Sequence, residues 1–335
     1  MKINKQELQT ALEIVKPGLA GKEIIEQSTS FAFKDGMVVT YNDEISVSHP
    51  VPGLDIRGAV RSEELYQFLN KVSKDVIDIS VSENEVLLKA GKAKAGLRLQ
   101  TEIVLPLEEI GDGEDWVKLP EDFIPGIRFV MDSCSRDHSR PVLTCIHIKQ
   151  ELAEGSDGFQ IMKYLMSDNM DVDILIPASS AKELGKVKPT HLALGDGWIH
   201  FKNAQDTMFS CRVLDEGYPN TEPHMKVKGS KVTFPKRMPE ILERAMIFTK
   251  QDQQADETME VTLTAGAVLV KGRNEYAWFE EEAKARYKGK DVSFHITPTL
   301  LGDILNRSNT CTLGKDKIKF EGDNWEYIAA LQNVG

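Results

Sequence analysis

Apolar and polar positions follow two rhythms along this chain. Residues 5–16 (KQELQTALEIVK) put Leu8, Leu12 and Val15 on one face at a 3.6-residue period, which predicts a half-buried helix. Phe31–Phe33, Met37–Tyr41 and Met259–Thr264 read as strands. One plan then recurs three times, in residues 58–90, 174–203 and 293–323: a short strand, a helix of two to three turns, and two strands alternating apolar and polar. With Val60, Ile176 and Ile296 as equivalent points, the repeats are 116 and 120 residues apart. Their helices open at Arg61-Ser62-Glu63, Pro177-Ala178-Ser179 and Thr297-Pro298, all capping or helix-starting signals. Turn signals follow at Glu83-Asn84, Gly195-Asp196-Gly197 and Gly314-Lys315-Asp316.

A second helix heads each repeat: residues 5–16, Asp122–Cys134 and Met238–Thr249. Two helices on one face of an antiparallel sheet, three times over, predict an α+β fold with domains at 1–112, 113–229 and 230–335. Polar, Gly- and Pro-containing linkers are expected at Glu108–Asp115 and Pro219–Ser230.

Composition narrows the class. With 335 residues, 41% hydrophobic and 28% charged, the chain reads as soluble and multidomain. Its start lacks a signal-peptide pattern, and no apolar run reaches the ~18 residues that span a bilayer, so a cytoplasmic protein without membrane contact is expected. Cys134, Cys145, Cys211 and Cys311 are too scattered for a disulfide framework or a zinc site. A net charge of −11 argues against a nucleic-acid partner unless bases are gathered locally. The six helical stretches (5–16, 61–74, 120–134, 178–187, 235–250, 297–308) sum to +2, leaving −13 elsewhere.

Catalytic signals are weak. Gly18–Glu23 lacks the spacing and the hydroxyl of a phosphate-binding loop, and no H-E-x-x-H occurs. Ser179-x-x-Lys182 with Ser167-Asp168-Asn169 imitates two β-lactamase signatures, but in reversed order and without K-T-G. The expectation is a protein that is not an enzyme and needs neither cofactor nor metal.

The segments GSDGFQIM, ILIPASSAKEL and FSCRVLDEGYPN, in that order, resemble the middle domain of the bacterial DNA polymerase III beta subunit, the beta sliding clamp. MKINKQELQTAL resembles that family's opening, and LERAMIF, EEEAKARYKG and SFHITPTLLGDIL its third domain, so the likeness covers nearly the whole chain. It implies a DNA-clamp fold and a head-to-tail homodimer whose six domains form a ring. Such a ring encircles double-stranded DNA without reading sequence and tethers the replicative polymerase and clamp-loader peptides. A divergent or phage-encoded processivity factor fits the departures from the pattern. The alternative is a clamp-fold peptide-binding scaffold that does not encircle DNA.

Carried over by position, Lys22, Arg136, His138 and Arg140 are the implied DNA-binding residues. Pro141 and Val142 stand where the family has aromatics, and Ala178-Ser179 where it has a basic pair. The implied partner-peptide groove comprises Leu143, Gly158, Phe159, Gln160, Ile161, Ile328, Ala329, Ala330 and Leu331, with Phe159-Gln160 replacing a usual His-Arg. The implied dimer interface sets Lys92, Lys94 and Leu97, in an edge strand Lys89–Leu99, against Ile247, Phe248, Glu280, Glu281 and Glu282 of the second copy.

Overall fold

A computed structural model describes residues 1–111, 113–251 and 257–333. Six α-helices lie among them: α1 (Lys5–Val15), α2 (Ser62–Lys71), α3 (Phe123–Met131), α4 (Ala178–Val187), α5 (Met238–Thr249) and α6 (Thr299–Leu305). Each falls within a predicted helical stretch, and the remaining regular structure is antiparallel sheet, giving an α+β fold. In α1 the Asn4 carboxamide oxygen accepts the N–H groups of Gln6 (2.8 Å) and Glu7 (3.2 Å), and Leu8, Ala11, Leu12 and Val15 form the buried stripe. α2 starts at the expected Arg61-Ser62-Glu63 signal: Arg61 is the cap position without a side-chain hydrogen bond, and Ser62, the first helical residue, donates its hydroxyl to the Thr29 carbonyl at 2.6 Å. That helix stops at Lys71, short of residue 74, where Val72 turns extended.

Two compact units divide the chain. One holds Met1–Arg128, Ile148–Glu151 and Ser167–Glu216; the other holds Phe129–His147, Leu152–Met166 and Gly217–Gly335. In the first unit Ile45–Pro50 pairs with Met208–Arg212 (Val47↔Phe209), so a 12-stranded sheet runs from the first repeat into the second. The expected first linker, whose residue 112 lies outside the described residues, is anchored here. Leu105 and Ile110 are buried with Ala32, Tyr41, Ala59 and Trp198.

The second unit repeats the device. Gln160–Leu165 pairs with Trp325–Ala330, and the sheet continues through Lys317–Glu321, Thr310–Leu313, Ser230–Thr233 and Arg286–Tyr287. A five-stranded sheet (Trp278–Lys284, Ala267–Arg273, Met259–Thr264, Val292–Ile296, Gln332–Asn333) lies in the same unit. α5 buries Met238, Ile241, Leu242 and Ala245, and α6 buries Leu301, Ile304 and Leu305.

Candidate partner and nucleic-acid sites

Antiparallel pairing brings the two halves of the expected groove together. Ile161 lies opposite Ile328 and Gln160 opposite Ala329, while the Ala330 N–H donates to the Phe159 carbonyl at 2.8 Å. The turn before Ile161 is locked. Asp157 Oδ1 accepts the N–H groups of Phe159 (2.8 Å) and Gln160 (2.9 Å), and Asp157 Oδ2 accepts the Gln160 amide at 2.9 Å. Gly158 has φ +94°, and a Cβ there would lie 3.2 Å from Arg140 Nη1. Gln160 is committed at its other end as well, accepting from the Tyr327 hydroxyl at 3.1 Å. Phe159 is left at the tip, 64% exposed. Leu143, Ile161, Ile328, Ala329 and Leu331 are buried and Ala330 is exposed.

Sequence reasoning missed two members of this apolar cluster. Met225 and Val227 pack on Ile161 and Ile328 from inside the expected second linker. A buried charge network holds that linker down. Glu154, opposite Lys163 in the sheet, accepts from His147 Nδ1 (2.8 Å) and from the Thr221 hydroxyl, and its Oε2 lies 3.3 Å from Lys163 Nζ. Lys163 also donates to Glu222, and the Tyr218 ring stacks on His147 with centroids 4.7 Å apart. Burial pushes the Glu154 carboxyl upward, but the His147 and Thr221 hydrogen bonds and the Lys163 charge outweigh it and hold the group below its ordinary value. A lysine flanked by Met162 and Tyr164 in a strand was the signal available in the sequence.

The expected DNA residues lie on exposed loops. Arg136, His138 and Arg140 are exposed in a loop whose base is closed by the Ser135 N–H donating to the Leu143 carbonyl at 2.7 Å. Asp137 shapes it, accepting the Ser139 N–H (2.9 Å) and hydroxyl (2.8 Å), and the Ser139 N–H holds its carboxyl below the ordinary value. Lys22 is exposed in a loop pinned by Gln27, whose amide donates to the Glu102 carbonyl at 2.8 Å. Arg140 therefore borders the Asp157–Gln160 turn as well as belonging to the loop.

The expected interface residues fall on two sheet edges, except Ile247 and Phe248, which lie on α5. Lys89–Leu99 is not one strand but a hairpin: Lys89 is the penultimate residue of Glu85–Ala90, Lys92 lies in the turn, and Lys94, second in Ala93–Gln100, stands opposite Lys89. Only Leu99 and Gln100 of that strand pair on its other side, with Val60 and Ala59. Leu97 lines its own unit's interior beside Leu8, Phe33 and Val60. In the second unit Trp278–Lys284 is the outermost strand of the five-stranded sheet. Glu281 is bound by Arg244 at 2.8–3.0 Å and lies 3.8 Å from Arg237, which leaves Glu280 and Glu282 as its exposed acids. Phe248 stacks on Phe279 with centroids 5.7 Å apart, while Ile247 is 62% exposed.

Ser179 and Lys182 are both exposed on α4, and Ser167 donates to Asp122 Oδ1 at 2.8 Å, a loop-fixing contact. Among the described residues no cluster of three or more His, Cys, Asp or Glu could hold a metal ion. No helix among them is long and apolar enough to cross a membrane. All four cysteines are buried free thiols.

The sequence matches no known family model and no curated protein. Solved structures do match. The DNA polymerase III subunit beta of Pseudomonas aeruginosa is 16% identical with a TM-score of 0.86, covering 100% of both chains. The DNA polymerase III beta chain of Streptococcus pneumoniae TIGR4 is 18% identical with a TM-score of 0.87 over 99% of both. The sliding clamp of Bacillus subtilis is 16% identical with a TM-score of 0.84, over 100% of this chain and 99% of that one. Over its full length this chain therefore has the fold of the bacterial DNA polymerase III beta subunit.

Proposed function

We propose that this chain is a DNA sliding clamp: a non-catalytic, cytoplasmic homodimer of three clamp domains per copy (1–112, 113–229, 230–335) that encircles duplex DNA and tethers its polymerase. The observation that carries this reading is the clamp fold held over 99–100% of the chain, at an identity of only 14–18%. Conservation of a whole architecture after most side chains have changed fits a function that resides in shape, as a topological hold does. Lys22, Arg136, His138 and Arg140 supply loose phosphate contacts. Leu143, Gly158, Ile161 and Ile328–Leu331, joined by Met225 and Val227, receive the polymerase tail.

Phe159, at the tip of the turn beside that site, is its exposed large apolar side chain, so Phe159→Ala separates binding from folding. It should weaken the tail of the polymerase encoded with this chain by about tenfold, an interface-anchor effect of ~1–2 kcal/mol, with the unfolding midpoint unchanged. Calorimetric titration with the tail peptide checks this, and normal binding would remove the site. Sedimentation tests the dimer: twice the 37.5 kDa chain mass at micromolar concentration is expected. A monomer there would leave the non-encircling scaffold as the reading.

A further inference from the structure

Two short stretches collect positive charge in a chain whose net charge is −11. Residues 226–237 carry Lys226, Lys228, Lys231, Lys236 and Arg237, and residues 284–290 carry Lys284, Arg286, Lys288 and Lys290; neither stretch contains an Asp or Glu. The fold places them side by side, since Ser230–Thr233 pairs with Arg286–Tyr287 through Val232↔Tyr287 and Thr233↔Arg286. Lys231 shares a face with Thr233, two residues on, and Arg286 stands directly opposite Thr233 on that face. In the second stretch Ala285 and Tyr287 are buried, so Lys284, Arg286 and Lys288 are turned outward. Val227 packs on Ile161 and Ile328, and its neighbours Lys226 and Lys228 are exposed. Among the described residues Arg237 alone of these nine is in an ion pair, with Glu281 at 3.8 Å.

We propose that this face is a second contact for nucleic acid, one that binds the phosphate backbone without encircling it and is additional to the Ser135–Arg140 loop. Lysine makes up seven of the nine cations, and no large apolar side chain is exposed in either stretch. A protein-docking surface has a desolvated core of aromatic and apolar anchors and is poor in lysine, so the composition is wrong for one. Dispersed, solvated ammonium groups suit a polyanion, whose affinity comes from counterion release and carries no sequence preference. The proposal does not need a closed ring, because linear DNA would bind equally well.

The test uses the full chain and fluorescence anisotropy with short linear probes, labelled oligo(dT) and duplex, and with labelled poly-glutamate as the acidic-protein probe. Wild type should bind DNA at low salt and lose affinity steeply toward physiological salt, on the order of 10²- to 10³-fold if five phosphates are neutralised. The variant Lys284→Gln/Arg286→Gln/Lys288→Gln should lose roughly tenfold or more at low salt and show a shallower salt slope. Lys226→Gln/Lys228→Gln/Lys231→Gln, changing the adjoining stretch, should give a comparable loss, and it decides the matter if the first variant folds poorly. DNA binding unchanged in a folded variant overturns the proposal. So does a loss confined to poly-glutamate, which would make the face a docking site for an acidic protein. Because the probes have free ends, neither result depends on whether the chain closes into a ring on DNA.

Discussion

The charges of this molecule are organised in two contrasting ways, and the contrast separates what holds the fold from what is left for partners. Around Glu154 the polar groups are committed: His147, Thr221 and Lys163 converge on one carboxylate, and Lys163 reaches on to Glu222. At the two open edges the reverse holds. The hairpin of Glu85–Ala90 and Ala93–Gln100 presents Lys92 and Lys94 beside Lys89, and Trp278–Lys284 presents Glu280 and Glu282. Each edge carries like charge and so discourages pairing with its own kind, while the two are complementary to each other. That arrangement suits the proposed head-to-tail dimer, whereas the buried network lies within one chain.

The largest expected effect tests the buried side. Lys163→Met strands the Glu154 carboxylate and should cost about 3–5 kcal/mol by denaturant unfolding, because a buried charge loses its counter-ion. Adding Glu154→Gln should return part of that loss. A cost below ~1 kcal/mol, the surface-pair range, would erase the distinction between the two regions. The same network predicts a pH dependence. Glu154 titrates below its ordinary value of 4.5 in the folded chain, so its contribution is complete above that value. It is lost as the pH falls through the lower folded-state value, and a thermal-unfolding series in acid should show this loss in wild type and not in Glu154→Gln.

Smaller effects follow. The Tyr218 hydroxyl is buried and has no hydrogen-bond partner among the described residues, so Tyr218→Phe should stabilise the chain by roughly 1 kcal/mol. At the edges, Lys92→Ala or Glu280→Ala should leave unfolding unchanged and weaken the dimer by only ~0–1 kcal/mol, with the loss vanishing at high salt. Combining Lys94→Glu with Glu282→Lys in one chain should restore what each change alone removes, if these two residues face each other between copies. Concentration-dependent sedimentation reads both.

Much of the fold was legible because periodicity is a local property. The apolar stripe of α1, the strand-helix-hairpin repeat and its three turns all lie where the pattern puts them. What the pattern could not carry was long-range pairing. The junction of Val47 with Phe209, and of Ile161 with Ile328, depends on strands far apart in sequence. For the same reason Met225 and Val227 read as linker, although burial of a distant pair recruits them into the apolar cluster. In sequence Glu281 groups with Glu280 and Glu282 at the implied interface, because the Arg244 that binds it comes from a helix 37 residues earlier. The Arg61-Ser62-Glu63 signal locates the start of α2, but not the Thr29 carbonyl that takes the Ser62 hydroxyl, which lies 33 residues earlier.

Encirclement is a topological property, and retention on DNA reads it out. The protein would be loaded by its clamp loader onto a nicked circular duplex and filtered in salt high enough to release phosphate contacts, then treated in the same way after the circle is cut once. A clamp stays with the circle and is lost when the DNA is linearised, because only an end lets a closed ring escape. Equal retention on circular and cut DNA, or release from both, would contradict an encircling ring.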